Sequence, residues 1–145
     1  MKNETLIIRS FLERRQVATI AAVQAGRPFC FNCFYGFDPE NWLLMFKSSP
    51  GSRQVSLFEN GITVAGTILG EKTSLHFNAG AQFEGEVVED EATQAKAAAM
   101  YYKQFPISML IDGKVLVIKL SMVRMTQTQA GFRNKHHWLR DGEAF

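Results

Sequence analysis

The run Phe46-Lys47-Ser48-Ser49-Pro50-Gly51-Ser52-Arg53 gathers the donor types that hold an anion. Ser49 suits a helix N-cap and Pro50 the first helical position, and Asn60-Gly61 can close a helix about three turns later. The unpaired amides at such a helix start attract negative charge, and Lys47, Ser48, Ser52 and Arg53 surround them with ammonium, hydroxyl and guanidinium donors. A phosphate is the ligand this set suits. There is no Walker-type or GxGxxG pattern, so a nucleotide held in either of those two ways is not expected. A solvated cap with surface cations uses the same residues, and the segment alone leaves both readings open.

Other reactive side chains are less well placed for chemistry. Cys30 and Cys33 have CxxC spacing, but they sit in Arg27-Pro28-Phe29-Cys30-Phe31-Asn32-Cys33-Phe34-Tyr35, which reads as a strand. An odd separation on a strand sends two side chains to opposite faces, so neither a redox disulfide nor a shared zinc site is expected. Adjacent His136 and His137 could be general acids, haem or metal ligands, or interface contacts, and neither receives a catalytic role. Gln82, Glu84 and Glu86 share one face of a strand that faces either solvent or a ligand. No Ser-His-Asp order or metal cluster is visible, which argues against a hydrolase.

The elements that must position these residues are mostly strands. An amphipathic helix opens the chain around Leu6, Ile7, Phe11 and Leu12. Val17 to Val23 is a strand, and Gln24-Ala25-Gly26-Arg27 turns it into a second strand from Pro28 to Phe37. Asp38 to Asn41 turns the chain again into a third strand, Trp42 to Phe46, which makes an antiparallel meander with the anion turn at its end. Further strands are expected at 62–69, 82–88 and 115–125, with a brief pairing at 74–77. Gly66 marks a bulge or a close backbone approach, and Asp90 caps a helix that Phe105-Pro106 ends. The fold class is therefore mainly β with helices (α+β): an antiparallel split or partly open barrel of six or so strands with two to three helices. The tail from Gly131 to Arg140 mixes aromatics with cations, unlike an ordinary frayed terminus.

Composition sets the context. One domain over 1–145 is expected from 145 residues, of which 46% are hydrophobic. A formal charge of +2 without a cationic run gives no nucleic-acid footprint. The charged N-terminal stretch fits neither a signal peptide nor a membrane span, so a cytoplasmic protein is expected.

The order of elements and several motifs resemble the FMN-binding split-barrel superfamily of pyridoxamine 5'-phosphate oxidase, and within it the bacterial YhbP-like proteins. The residues that carry the resemblance are Asn32-x-Phe34-Tyr35-x-Phe37-Asp38, Val64-Ala65-Gly66-Thr67, Gln82-Phe83-x-Gly85-Glu86, Lys103-x-Phe105-Pro106, and Gly131-Phe132 followed by Trp138-Leu139-Arg140-Asp141. The resemblance implies FMN as cofactor. It places Asn32, Cys33, Phe34 and Tyr35 along the isoalloxazine, and Phe46, Lys47, Ser48 and Ser49 at the ribityl chain and phosphate. Ser52 and Arg53 stand where relatives carry a basic pair, and Gln82 falls near a flavin-contacting glutamine. Phe31 replaces an arginine of the oxidases, and Lys47 adds a charge where relatives often have threonine. The resemblance also implies a homodimer with the cofactor site at the subunit interface. Phe29, Phe31, Phe34 and Phe37 serve equally well as barrel core or as flavin walls. Two functions follow: an FMN-dependent oxidoreductase acting on a small molecule or a nicotinamide, and a non-catalytic flavin or haem binding or sensing protein on the same barrel.

Overall fold

The structure, a computed structural model, describes residues 3–48 and 61–141. The helix expected from Pro50 to Glu59, and with it Ser49, Ser52 and Arg53, lies outside the described residues. Helix α1 (Asn3–Arg14) leads into strands β1 (Val17–Gln24), β2 (Arg27–Asp38) and β3 (Leu43–Ser48). Strands β4 (Thr63–Thr73) and β5 (Phe77–Val88) precede helix α2 (Glu91–Gln104), a 3-10 turn (Pro106–Leu110), and strands β6 (Lys114–Gln129) and β7 (Phe132–Leu139). No helix among the described residues is long and apolar enough to cross a membrane.

All pairings are antiparallel, and the sheet order β3-β2-β1-β4-β5-β6-β7 is closed by a further β3–β6 pairing. Strands β1 to β6 thus form a ring, and β7 extends from β6 beyond it. The 16 residues of β6 make this possible. Its first part, Lys114 to Lys119, pairs with β3, and its later part, Met122 to Gln129, pairs with β7 on the side β3 has left. An irregularity opposite Glu84 and Gly85 lies between the two parts and bends the strand there.

The core follows from strand alternation. Ile20, Leu44, Phe46, Ile68, Phe83, Leu116 and Ile118 fill the ring, and Ile8 and Leu12 of α1 plug one end. The Tyr35 hydroxyl donates to the Leu12 carbonyl at 2.7 Å and ties the plug to β2. A second apolar cluster forms outside the ring, where Ala97 and Tyr101 of α2 pack on Met45, Val115 and Val117. Asp90 caps α2 by accepting from the Thr93 amide at 2.9 Å.

Gly66 is a close backbone approach and not a bulge, since its pairings with Ile20 and Phe83 stay in register. A β-carbon there would strike the Phe83 ring and the Thr19 carbonyl. The aromatic and basic tail is β7. Its hairpin turn, Ala130-Gly131 with φ of 51° and 84°, repeats the geometry of Ala25-Gly26 between β1 and β2, at 50° and 76°. Positive φ at both central residues matches the twist of a two-residue hairpin.

Arg140 locks this tail to the ring. Its Nε donates to the Leu120 carbonyl at 2.6 Å, and its terminal nitrogen donates to the Asn41 and Trp42 carbonyls at 2.9 and 3.0 Å. Beside it the indoles of Trp42 and Trp138 stack with centroids 4.0 Å apart. Replacing Arg140 with Gln removes three charge-assisted contacts to backbone carbonyls and should cost about 1.5–3 kcal/mol. Gly66→Ala should cost about 1–3 kcal/mol through overpacking. Both losses are read as lowered denaturant midpoints at unchanged slope, and an unchanged midpoint for either variant contradicts its assignment.

Candidate functional site

A cavity of about 730 Å3 lies outside the ring, where the outer face of β2, the end of β3, the end of α2 and the 3-10 turn meet. This volume falls within the usual range for small-molecule sites. Alternation along β2 turns Asn32 and Phe34 outward into the cavity, while Phe31 and Tyr35 turn inward. Phe34 is 58% exposed, and its ring lies 6.1 Å from Phe105 at the end of α2. Tyr101 faces the same space, its hydroxyl 3.3 Å from the Phe34 carbonyl. The walls are therefore aromatic, with the Asn32 amide among them. The Asn32 carbonyl oxygen accepts from the Thr19 hydroxyl at 2.6 Å, which fixes the side chain and leaves its NH2 as a donor.

The polar end is built by β3. Lys47 and Ser48 belong to the strand and not to a following turn, because β6 pairs with β3 as far as Ser48↔Lys114. Gly113, with φ of 147°, makes the approach possible, since a β-carbon there would strike the Ser48 carbonyl. Lys47 Nζ donates to the Ser108 carbonyl at 2.7 Å and sits 4.8 Å over the Tyr102 ring. That contact spans the cavity edge to the 3-10 turn. Ser48 is buried, and its hydroxyl has no hydrogen-bond partner among the described residues. A buried hydroxyl without a partner costs free energy that a ligand oxygen would recover.

Two titratable groups at the cavity, Cys33 and Tyr101, are held protonated. Burial pushes the Cys33 thiol up to about 12. Burial, then Cys33 nearby, also raises the Tyr101 phenol above its ordinary value, against an opposing contact with the Lys47 backbone. Neither group is a ready base or nucleophile. Among the described residues no group of His, Cys, Asp and Glu could hold a metal ion. What the arrangement can do is hold a flat aromatic group against Phe34, Phe105 and Tyr101 and an oxygen-rich tail near Lys47 and Ser48.

Of the residues expected at the site, Asn32, Cys33, Phe34, Lys47 and Ser48 meet at this cavity. Tyr35 and Phe46 are buried in the ring interior, where Phe46 packs against Phe31, and they stand behind the cavity. Gln82 is exposed on the outer face in a row of paired residues that runs Asn32, Thr19, Thr67, Gln82, Arg124, His137. Three strand spacings, about 14 Å, separate it from Asn32. Cys30 and Cys33 are free thiols, Cys30 exposed and Cys33 half-buried, as the odd spacing requires. His136 is held between β7 and α1, its Nδ1 3.9 Å from Glu4. Gln16, Gln104, Ser108, Ile111 and Asp112 also line the cavity and were not expected there. They come from segments without a motif, and only the Phe105-Pro106 helix stop signalled that the chain turns there.

The comparisons with known proteins agree with this geometry. The sequence is 31% identical over 138 residues to the UPF0306 protein YhbP of Salmonella paratyphi B, covering 94% of each chain. The chain belongs to the UPF0306 YhbP family. YhbP of Salmonella typhi matches this family member with the same identity and coverage. No protein-family model matches the chain. Among solved structures, a heme binding protein from Mycobacterium smegmatis superposes with a TM-score of 0.73 at 16% identity over 93% of this chain. The match spans only 58% of that longer protein. An FAD binding protein from the same organism gives 0.69 at 14% identity, covering 89% of this chain and 97% of its own. HutZ, the heme storage protein of Vibrio cholerae, gives 0.61 at 19% identity, covering 80% and 89%. These likenesses identify the YhbP-family fold as the split barrel.

The raised thiol has a consequence for stability. An unfolded chain releases the Cys33 proton near 9.0, while the folded chain keeps it to about 12. Stability should be fully present below pH 9 and fall as pH rises through that window. Tyr35 and Tyr101, also raised by burial, steepen the same fall. Cys33→Ser should flatten part of it, measured as denaturant midpoint between pH 8 and pH 11; identical pH slopes for the two proteins would contradict the burial of the thiol.

Proposed function

We propose that this YhbP-family protein binds FMN in the cavity between β2, β3 and α2 and acts as an oxidoreductase on a small molecule, working as a homodimer. One observation carries the reading. The buried Ser48 hydroxyl, without a partner among the described residues, lies at the end of β3 beside Lys47, at the polar end of an otherwise aromatic cavity. FMN has the matching shape, a flat apolar ring system with an anionic phosphate tail. Phe34 and Phe105 would wall the ring, Asn32 would donate to its polar edge, and Lys47 and Ser48 would meet the phosphate, joined by Ser49, Ser52 and Arg53 from the following segment. Bound flavin supplies hydride transfer, which accounts for an aromatic cavity whose thiol and phenol are held neutral.

The position of Gln82 supports the dimer. At about 14 Å from Asn32 along the sheet it is out of reach of the same ring edge, so the flavin contact that the family resemblance implies for it would come from a second copy. Exposed Val17, Phe34 and Leu69 on the outer face, and Ile107, Leu110 and Ile111 beside the cavity, are apolar surface that such a copy would cover. The solved neighbours named for FAD and for heme support flavin or haem binding on this barrel. The flavin reading is preferred because no histidine lines the cavity among the described residues.

Titration of the purified protein with FMN should quench and shift the flavin spectrum at one flavin per chain, and gel filtration should give a dimer. A Soret band after haem addition with no response to FMN would replace this reading with the haem one. Arg53→Ala and Lys47→Met should each weaken FMN by about 10- to 150-fold while changing riboflavin little, since the phosphate contact to a cation is worth about 1.5–3 kcal/mol. Equal losses for both ligands would contradict the phosphate assignment.

A further inference from the structure

A second cavity, of about 370 Å3, lies where the α1 plug meets the inner faces of β5 and β6. Ile7, Phe11, Ala79 and Met125 make its walls, and Gln127 and Arg15 supply polar groups. This space is separate from the proposed flavin cavity, with which it shares no lining residue.

Arg15 is the unusual member. Its side chain is only 17% exposed, and its one ion pair among the described residues is to Glu71, 3.5 Å away and itself 84% exposed. Its Nε is buried and has no hydrogen-bond partner among the described residues. The charge reaches inward far enough to oppose the rise of the Tyr35 phenol. A guanidinium withdrawn from water is costly unless its donors are met by an anion, and a solvated glutamate on one terminal nitrogen leaves Nε unmet among the described residues. Arg14, which lines the same cavity and donates to Ser10 Oγ at 2.7 Å, adds a second positive charge at the edge. No acidic residue lines the cavity.

We propose that this cavity binds a small amphipathic monoanion of the medium-chain carboxylate class, its carboxylate on Arg15 and its chain against Ile7, Phe11 and Met125. A planar carboxylate can take two parallel hydrogen bonds from a guanidinium, including one to Nε, and an alkyl chain needs no partner beyond the apolar walls. A compact inorganic anion would leave those walls unfilled. A neutral chain would leave Arg15 as it stands.

The probe is sodium octanoate, titrated into the full chain and followed by calorimetry and by methionine methyl NMR. Octanoate should bind one to one, with the Met125 methyl resonance shifting along the titration. Octan-1-ol should bind at least tenfold more weakly, and Arg15→Gln should weaken octanoate at least tenfold. Absent binding to the wild-type chain, equal affinity for octanoate and octanol, or a response confined to Met109 beside the first cavity would overturn the proposal. If Arg15→Gln fails to fold, Ala79→Leu decides: by filling the cavity it should abolish octanoate binding, and retained binding overturns the assignment. None of these outcomes depends on FMN.

Discussion

The pairing of β3 with the first part of β6 is the constraint on which the rest of the molecule depends. Without it β3 would be a free edge, with Lys47 and Ser48 presenting unpaired backbone to solvent. With it the sheet becomes a ring whose interior Phe46, Phe83 and Leu116 fill, and β6 becomes the one strand that belongs to both the ring and the tail. The change of partner along β6, from β3 to β7, explains why Arg140 matters. At the point where one neighbour leaves and the other begins, the carbonyls of Leu120, Asn41 and Trp42 converge, and a single guanidinium satisfies all three. Burial draws the Arg140 proton affinity below its ordinary value, with Asp141 opposing.

The same closure places the candidate site. Ser48 is the last β3 residue in register with β6, and Gly113 lets the chain enter β6 against its carbonyl. At this end of the described ladder Lys47 crosses to the 3-10 turn, and the Ser48 hydroxyl has no partner among the described residues. The proposed phosphate position is thus a product of strand pairing, with the aromatic walls added by the outward face of β2 and the end of α2.

Much of this was legible in the sequence, because the governing signals were local. The Ala25-Gly26 turn, the Asp90 cap, the Phe105-Pro106 stop and the alternation on β2 each depend on a few neighbouring residues. The alternation alone was enough to separate Cys30 from Cys33 and Phe34 from Tyr35. What escaped were properties of closure. Gly66 looked like either a bulge or a close approach, and only the Phe83 ring across the barrel decides it. Strand β7 escaped because its residues from Phe132 to His137 show no apolar alternation, although Ala130-Gly131 repeats the turn dipeptide of the first hairpin. Gln16, Gln104, Ser108 and Asp112 have no common motif and become neighbours only when α2 folds back over β2 and β3.

The size of the ring also dictates where ligands can go. A closed barrel of this strand number has an interior just wide enough for its own side chains, and here the inward residues from Ile20 to Leu120 are almost entirely buried. Ligands must then occupy the places where something packs imperfectly on the barrel. Two such places among the described residues are the seam where α2 and the 3-10 turn meet β2 and β3, and the rim where α1 plugs the end. Each pairs apolar walls with a buried donor that has no partner among the described residues, the Ser48 hydroxyl at the seam and the Arg15 Nε at the rim. Their walls differ in kind, aromatic at the seam and mostly aliphatic at the rim, so the two sites select for different molecules even though both favour an anionic end.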